Sequence, residues 1–191
     1  MSIQNKIVSE VQSGPINTNA SSLTQSSDSN NVNDRYLCFA LGREEYAVPL
    51  LSVKEVIALP DITSVPQTPP YFLGIMNLRG QVISVIDLRA KLTIKPLNSA
   101  ETAVIICDLK PNSVGVVVDS INSVINPSKD QISEKPEIQS QKNTDYIQAV
   151  YREKGRLILL LDISKTLSLG DHQVIARSTS TQQKGKIVER Q

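Results

Sequence analysis

Between residues 34 and 168 the chain alternates short apolar runs with turn-forming residues. The segments RYLCFALG, EEYAVPL, VKEVIAL, QVISVIDL, AVIICDL, SVGVVVDSI and GRLILLLDI are rich in Val, Ile and Leu and are broken by Gly, Pro, Asn and Asp. Runs of that length and β-branched content predict strands. GREE and LKPNS have the composition of tight turns between paired strands. No long stretch places apolar residues at i, i+3, i+4 and i+7, so helix is confined to single turns at PLLSV, DLRAKL and DISKTL. The pattern predicts a mostly β protein of many short strands, which points to barrels or a sandwich.

The same strands occur twice. EYAVPLLSVKEVI (Glu45 to Ile57) matches SVGVVVDSINSVI (Ser113 to Ile125) at a constant offset, with Ala47 on Gly115, Val53 on Ile121 and Val56-Ile57 on Val124-Ile125. Upstream, Leu37 falls on Ile105 and Phe39 on Cys107. RGQVISVIDLRAKL then matches KGRLILLLDISKTL, with Gly80 on Gly155, Asp87 on Asp162 and Leu92 on Leu167. The second offset is larger by seven residues, which places an insertion near Ser128 to Asp145. Two copies imply two similar small barrels, at about 36–100 and 101–168 with ends that can be exchanged. Each copy is small enough to be marginal alone, so a shared core is expected.

Composition changes at the ends. Residues 1–33 are rich in Ser, Asn, Gln and Thr with scattered apolar positions, and 169–191 turn polar again. Such segments bury too little surface to offset ordering entropy, so both read as tails outside the domain. The N-terminus shows no apolar h-region of a signal peptide. The apolar runs fall far short of the ~20 residues that span a bilayer. Formal net charge is +1, which favours neither nucleic acid nor an anionic membrane. Cys38 and Cys107 lie in strand-like runs, as buried reduced thiols of a cytoplasmic protein would.

Titratable chemistry is sparse. The single histidine, His172, lies at the edge of the second tail, and no Cys/His cluster has metal-ligand spacing. Phosphate-binding glycine loops and a G-x-S-x-G elbow are absent. Asp87 and Asp162 hold equivalent places after strands, which suits helix N-caps better than catalytic acids. The expectation is a binding protein with no enzymatic activity, no cofactor and no metal. A small β-barrel binder of nucleic acid or carbohydrate would need exposed aromatics interleaved with Lys and Arg, and the core has few aromatics and no basic stripe.

One cation stands out. In NLRG, Arg79 precedes the turn glycine Gly80, and Lys154 recurs before Gly155. Glu55 sits among the apolar residues of VKEVI, where the second copy has Ser123. Arg79 either decorates a turn or is held by Glu55 as a fixed planar donor for a partner.

FALGREEYAVPLLSVKEVI, VPQTPPYFLGIMNLRGQVISVIDLR and VGVVVDSINSVI together resemble the CheW family of chemotaxis coupling proteins, in order, from about Arg35 to Leu167. The resemblance implies two pseudo-symmetric SH3-like five-stranded β-barrels sharing a hydrophobic core. It also implies a non-enzymatic adaptor that joins the cytoplasmic hairpin tip of chemoreceptors to the CheW-like regulatory domain of a CheA-type histidine kinase, within receptor arrays. A related pathway such as type IV pilus control is the alternative. The matching receptor-groove positions are Val53, Glu55, Gly74, Arg79, Val104, Gly115 and Val124. The implied kinase surface is Ile57, Leu59 and Ile62, with a ring contact at Ile138, where some relatives carry Phe.

Overall fold

The structure is a computed structural model that describes residues 34–95, 101–134, 144–168 and 170–176. The chain runs β1 (Tyr36–Leu41), β2 (Glu44–Pro49), a 3-10 turn (Leu50–Ser52), β3 (Val53–Ala58), β4 (Phe72–Leu78), β5 (Gln81–Asp87) and α1 (Leu88–Leu92). It continues through β6 (Ala103–Asp108), β7 (Ser113–Val118), β8 (Ser120–Ile125), β9 (Ile132–Glu134), β10 (Ile147–Glu153), β11 (Arg156–Leu161) and α2 (Ile163–Thr166). Two sheets result, one ordered β8-β1-β2-β11-β10-β9 and the other β3-β6-β7-β5-β4.

Neither sheet is drawn from 36–100 or 101–168 alone. The β1–β2 hairpin pairs with β11 of the second copy, and the β6–β7 hairpin pairs with β5 of the first. These two pairings are parallel, whereas every other strand pair is antiparallel. The copies have therefore exchanged hairpins.

Exchange explains why the strands read as nearly unbroken apolar runs. The central strands of each sheet are buried on both faces, which removes the need for polar alternation, whereas the edge strands β3 and β8 stay partly exposed. In β6, Ala103, Ile105 and Cys107 enter a cluster shared with Leu37, Phe39 and Leu161 of the other sheet. The intervening Val104 and Ile106 face a separate cluster with Met76, Ile83, Val85 and Val117, all from their own sheet. Cys38, Ala47, Tyr151, Ile158 and Leu160 form the counterpart in the first sheet. The fold is thus three apolar layers, a central shared core and two barrel interiors. Cys38 and Cys107 are free and buried, and burial pushes the Cys107 thiol up to about 12.

The duplication holds in three dimensions. Leu78 pairs with Gln81 and Glu153 with Arg156, so each hairpin closes through two residues. Arg79 and Gly80 have φ of 51° and 85°, and Lys154 and Gly155 have 48° and 81°. Positive φ at both central residues is the type I′ geometry, which matches the twist of the flanking strands. Asp87 accepts from the Arg89 and Ala90 amides at the start of α1, and Asp162 accepts from the Ser164 amide at the start of α2. Three strands lie outside the sequence expectation. β4 is interrupted by Gly74 and Asn77, β9 has three residues, and β10 carries a bulge between Ile147 and Ala149 that breaks its alternation. SVGVVVDSI proves to be two strands, because the chain leaves one sheet for the other at Asp119.

Asp119 is buried at that crossover. Its Oδ2 accepts from the Gly42 amide at 2.6 Å and its Oδ1 from Arg89 Nη1 at 2.6 Å. Arg89 also forks onto Asp87, with Nε on Oδ1 at 2.9 Å and Nη2 on Oδ2 at 2.7 Å. The Asp87 bonds raise the guanidinium pKa, against burial that would lower it, and Asp119 adds to the rise. One arginine thereby ties the β1–β2 turn, the β5–α1 junction and the β7–β8 crossover.

The tail boundary at 168/169 falls too early. Residues 170–176 are helical, Ile175 is buried in the shared core, and Asp171 is 4 % exposed. Asp171 accepts from Tyr71 Oη, from Lys91 Nζ at 2.5 Å and from the Ser168 amide at 2.6 Å. Lys91 also lies 4.1 Å over the Tyr71 ring, a cation–π contact. His172 is part of this helix and is partly buried. Polar letters concealed the segment because its one deep apolar anchor comes after a buried charge. Residues 1–33 and 177–191 lie outside the described residues.

Two outcomes follow from these networks. Asp119→Ala removes one counter-charge from a buried guanidinium and frees the Gly42 amide, so urea unfolding is expected to show a loss of about 3 kcal/mol. Glu45→Ala, which breaks the more exposed pair to Arg156, is expected to cost under about 1 kcal/mol. The second outcome concerns acid. Burial would raise the Asp171 pKa, but Lys91, Tyr71 and Ser168 together hold it below the ordinary 3.8. Its contribution is therefore present above pH 3.8 and lost as pH falls through the lower folded value. Amide exchange in 170–176 is expected to accelerate in that acid window, and Asp171→Asn to remove the dependence while weakening the helix at neutral pH.

Candidate functional site

The β4–β5 hairpin and the edge strand β3 carry the candidate site. β3 lies at one end of its sheet and pairs only with β6, with a bulge between Val53 and Glu55. Lys54, Val56 and Ala58 are exposed along one side, while Val53, Glu55 and Ile57 are half-buried on the other. Glu55 Oε2 accepts from Arg79 Nη2 at 2.8 Å. The Arg79 side chain is 80 % exposed and that of Glu55 25 %.

Arg79 is pinned at both ends. Its backbone sits in the positive-φ turn, where the Gly80 amide donates to Asn77 Oδ1 at 2.8 Å. Its head rests on Glu55. The contact is a single hydrogen bond through Nη2, so four of the five guanidinium donors are not used by Glu55. A pair this exposed contributes about 0–1 kcal/mol to stability. The strained backbone is shared with Lys154 and so belongs to the hairpin rather than to Arg79. What sets Arg79 apart is Glu55, since the second copy offers Ser123 in its place.

The other groove positions divide. Val53 packs partly buried on the shared core, as does its counterpart Ile121. Val124 is 51 % exposed on β8, an edge strand of the other sheet. Val104 and Gly115 are inside the barrel and present nothing to a partner. A Cβ on Gly115 would stand 3.0 Å from Val104 Cγ1 and 3.4 Å from Met76 Cε, so the glycine keeps the β6–β7 hairpin seated. Gly74 is also buried. It has φ of 142°, and a Cβ there would stand 2.0 Å from the Thr63 carbonyl oxygen. Its lack of a side chain lets Thr63 bridge Ile75 through two backbone hydrogen bonds of 2.9 Å.

Of the implied kinase surface, Leu59 is 47 % exposed, whereas Ile57 and Ile62 pack partly into the barrel interior. Ile138 lies outside the described residues. Val56 was missed by sequence reasoning, yet it is 40 % exposed beside Leu59 and is the repeat counterpart of Val124. The repeat itself carried that signal. Among the described residues no group of His, Cys, Asp and Glu is arranged to hold a metal ion.

Comparison with known proteins agrees with this architecture. Residues 35–170 match the family model of the CheW-like domain. The chain belongs to that family. A chemotaxis protein CheW of Klebsiella aerogenes is 34% identical over 138 residues, 72% of this chain and 83% of that protein. One from Bacillus subtilis is 34% identical over 136 residues, 70% and 86% of the two chains. The crystal structure of the scaffolding protein TtCheW from Thermoanaerobacter tengcongensis superposes with a TM-score of 0.66 at 25% identity, covering 73% of this chain and 95% of that one.

The buried glycine gives a direct check. Gly74→Ala is expected to break the Thr63–Ile75 bridge, seen as loss of amide protection at both residues, because backbone atoms cannot yield the space a Cβ needs. Val104→Ala is expected to cost roughly 2 kcal/mol in urea unfolding as a cavity in the barrel interior.

Proposed function

We propose that the chain is a non-enzymatic adaptor of chemotaxis signalling that couples methyl-accepting chemoreceptors to a CheA-type histidine kinase. The observation that carries this reading is the Arg79–Glu55 pair, a guanidinium fixed at a hairpin tip with most of its donors unused. On the opposite side of the same edge strand Val56 exposes apolar surface, and Leu59 does so just past the strand's end. A receptor hairpin is a helical surface with both apolar and acceptor groups, and this combination suits it. Leu59, with the half-buried Ile57 and Ile62, forms the kinase face, and Ile138 the ring contact. Cytoplasmic placement at receptor arrays accompanies this role; among the described residues no helix is long and apolar enough to cross a membrane.

Nucleic-acid or carbohydrate binding is disfavoured by a specific observation. The five tyrosines and two phenylalanines are all described, and none is exposed. A stacking platform needs open aromatic faces.

The decisive experiment is kinase autophosphorylation reconstituted with receptor, kinase and this chain. Arg79→Ala is expected to unfold within about 1 kcal/mol of the parent and to bind kinase normally. Receptor-dependent activation is expected to collapse, and Glu55→Gln to give the same class of defect. The double change is expected to be little worse than either one, as for coupled residues. Full activation by Arg79→Ala would return NLRG to a plain turn. Leu59→Asp is expected to weaken kinase binding in calorimetry at least about tenfold without unfolding the chain. It is a cleaner probe than Ile62→Asp, which would also put a charge against the barrel interior.

A further inference from the structure

The duplication makes one cleft of the fold interpretable. In the first copy Arg89 lies between Asp87 and Asp119, and Asp119 also accepts from the Gly42 amide and donates its own amide to Ala40 O. The two repeat registers carry each of those residues to a second place. Asp87 maps to Asp162, Arg89 to Ser164, Asp119 to Leu51, Gly42 to Lys110 and Ala40 to Asp108. All five counterparts line one open cleft of about 460 Å³ between the sheets. That size falls in the usual range of ligand-binding clefts.

The second copy keeps the acidic half of the arrangement and changes the rest. Asp162 caps α2 through Oδ1, which accepts from the Ser164 amide at 2.9 Å and from its hydroxyl at 2.5 Å. Among the described residues its Oδ2 is met only at long range, by Gln148 Nε2 at 3.4 Å and Lys165 Nζ at 3.9 Å. The equivalent Oδ2 of Asp87 takes Arg89 Nη2 at 2.7 Å. The second carboxylate changes position, with Leu51 replacing Asp119 and Asp108 replacing Ala40. Asp108 Oδ1 is met at 3.4 Å by Lys54 Nζ and at 3.4 Å by the Lys110 amide. Lys110 is exposed at the rim of the lining, and Lys165 and Lys54 reach Asp162 and Asp108 from outside it. Among the described residues Leu51 is the most exposed of the large apolar side chains, at 61 %.

We infer that this cleft is a socket for an arginine side chain presented by a docking protein. The guanidinium lies against Asp162 Oδ2 and faces Asp108, as Arg89 lies between Asp87 and Asp119, and the residue next to it rests its apolar side chain on Leu51. A planar fork can meet two carboxylates at once, whereas an ammonium is a point charge. With Lys110 at the rim and Lys54 and Lys165 at long range from the two carboxylates, selectivity rests on that geometry rather than on net charge, and the guanidinium displaces those two ammonium groups. The apolar rim is what distinguishes a protein segment from a free guanidinium compound. Arg79 and the β4–β5 hairpin play no part in this socket.

The test uses the full chain, labelled for amide spectra, and three probes: acetyl-Leu-Arg-Leu-amide, its lysine analogue and agmatine. The arginine peptide is expected to give saturable shifts at Lys110, Gln148 and Ser164, with the lysine peptide and agmatine each about fivefold weaker or more. Ser164→Arg, at an exposed position, supplies the guanidinium from within and is expected to abolish binding. Asp162→Asn retains the cap and is expected to weaken binding about fivefold. Absence of saturable shifts, equal response to the lysine peptide, or binding that survives Ser164→Arg would overturn the inference. Agmatine binding as tightly as the peptide would overturn the assignment to a protein partner. Neither kinase nor receptor enters the test, so its failure would leave the adaptor reading standing.

Discussion

The fold depends on two parallel strand pairings, β2 with β11 and β5 with β7. Each inserts a hairpin of one copy into the sheet of the other, so neither half can complete its sheet alone. Exchange turns two marginal barrels into one cooperative unit, because the central layer is lined by both sheets and both halves of the chain. It also creates a cost. The chain must cross between sheets at Asp119, in a place where backbone and charge are buried. Arg89 offsets that cost by satisfying Asp119 and Asp87 together.

Two arginines illustrate how burial decides a role. Arg89 is 12% exposed in its side chain, has two carboxylate partners and secures a junction. Arg79 is 80% exposed, has one hydrogen bond and adds little to stability. A guanidinium whose donors are spent holds the fold; one whose donors are free, on a turn held in a single conformation, is available to a partner. The rigidity comes from the type I′ turn and from Asn77, which accepts the Gly80 amide. The two residue copies, Lys154 and Ser164, show what each arrangement becomes when one member changes.

Several features were legible because they rest on local rules. Gly80 and Gly155 were readable as turn residues, since a two-residue hairpin needs positive φ. Asp87 and Asp162 were readable as caps, since an acceptor side chain before a helical turn satisfies free amides. The Arg79–Glu55 pair was suggested by the recurrence of a cation before each turn glycine and by one acidic residue out of place. By contrast Val104, Gly115 and Gly74 carry the same letters whether they face a groove or a barrel interior. Only the positions of Met76, Thr63 and the β6–β7 hairpin show that they lie inside. The helix at 170–176 escaped notice because Asp171 reads as a tail residue until Tyr71, Lys91 and Ser168 are found around it.

By itself the sequence determined the strand inventory in outline, the duplication, the caps, the hairpin turns and the family. All of these follow from patterns within about a dozen residues or from comparison of one segment with another. The tertiary structure alone decided which hairpin enters which sheet, because a strand buried on both faces carries no periodicity that names its neighbour. It alone decided which apolar residues remain exposed, as Val56 and Leu59 do while Ile57 turns inward. And it alone showed that residues scattered from Leu51 to Ser164 meet in one cleft, since charge and shape at that site arise from chain segments that the exchange brings together.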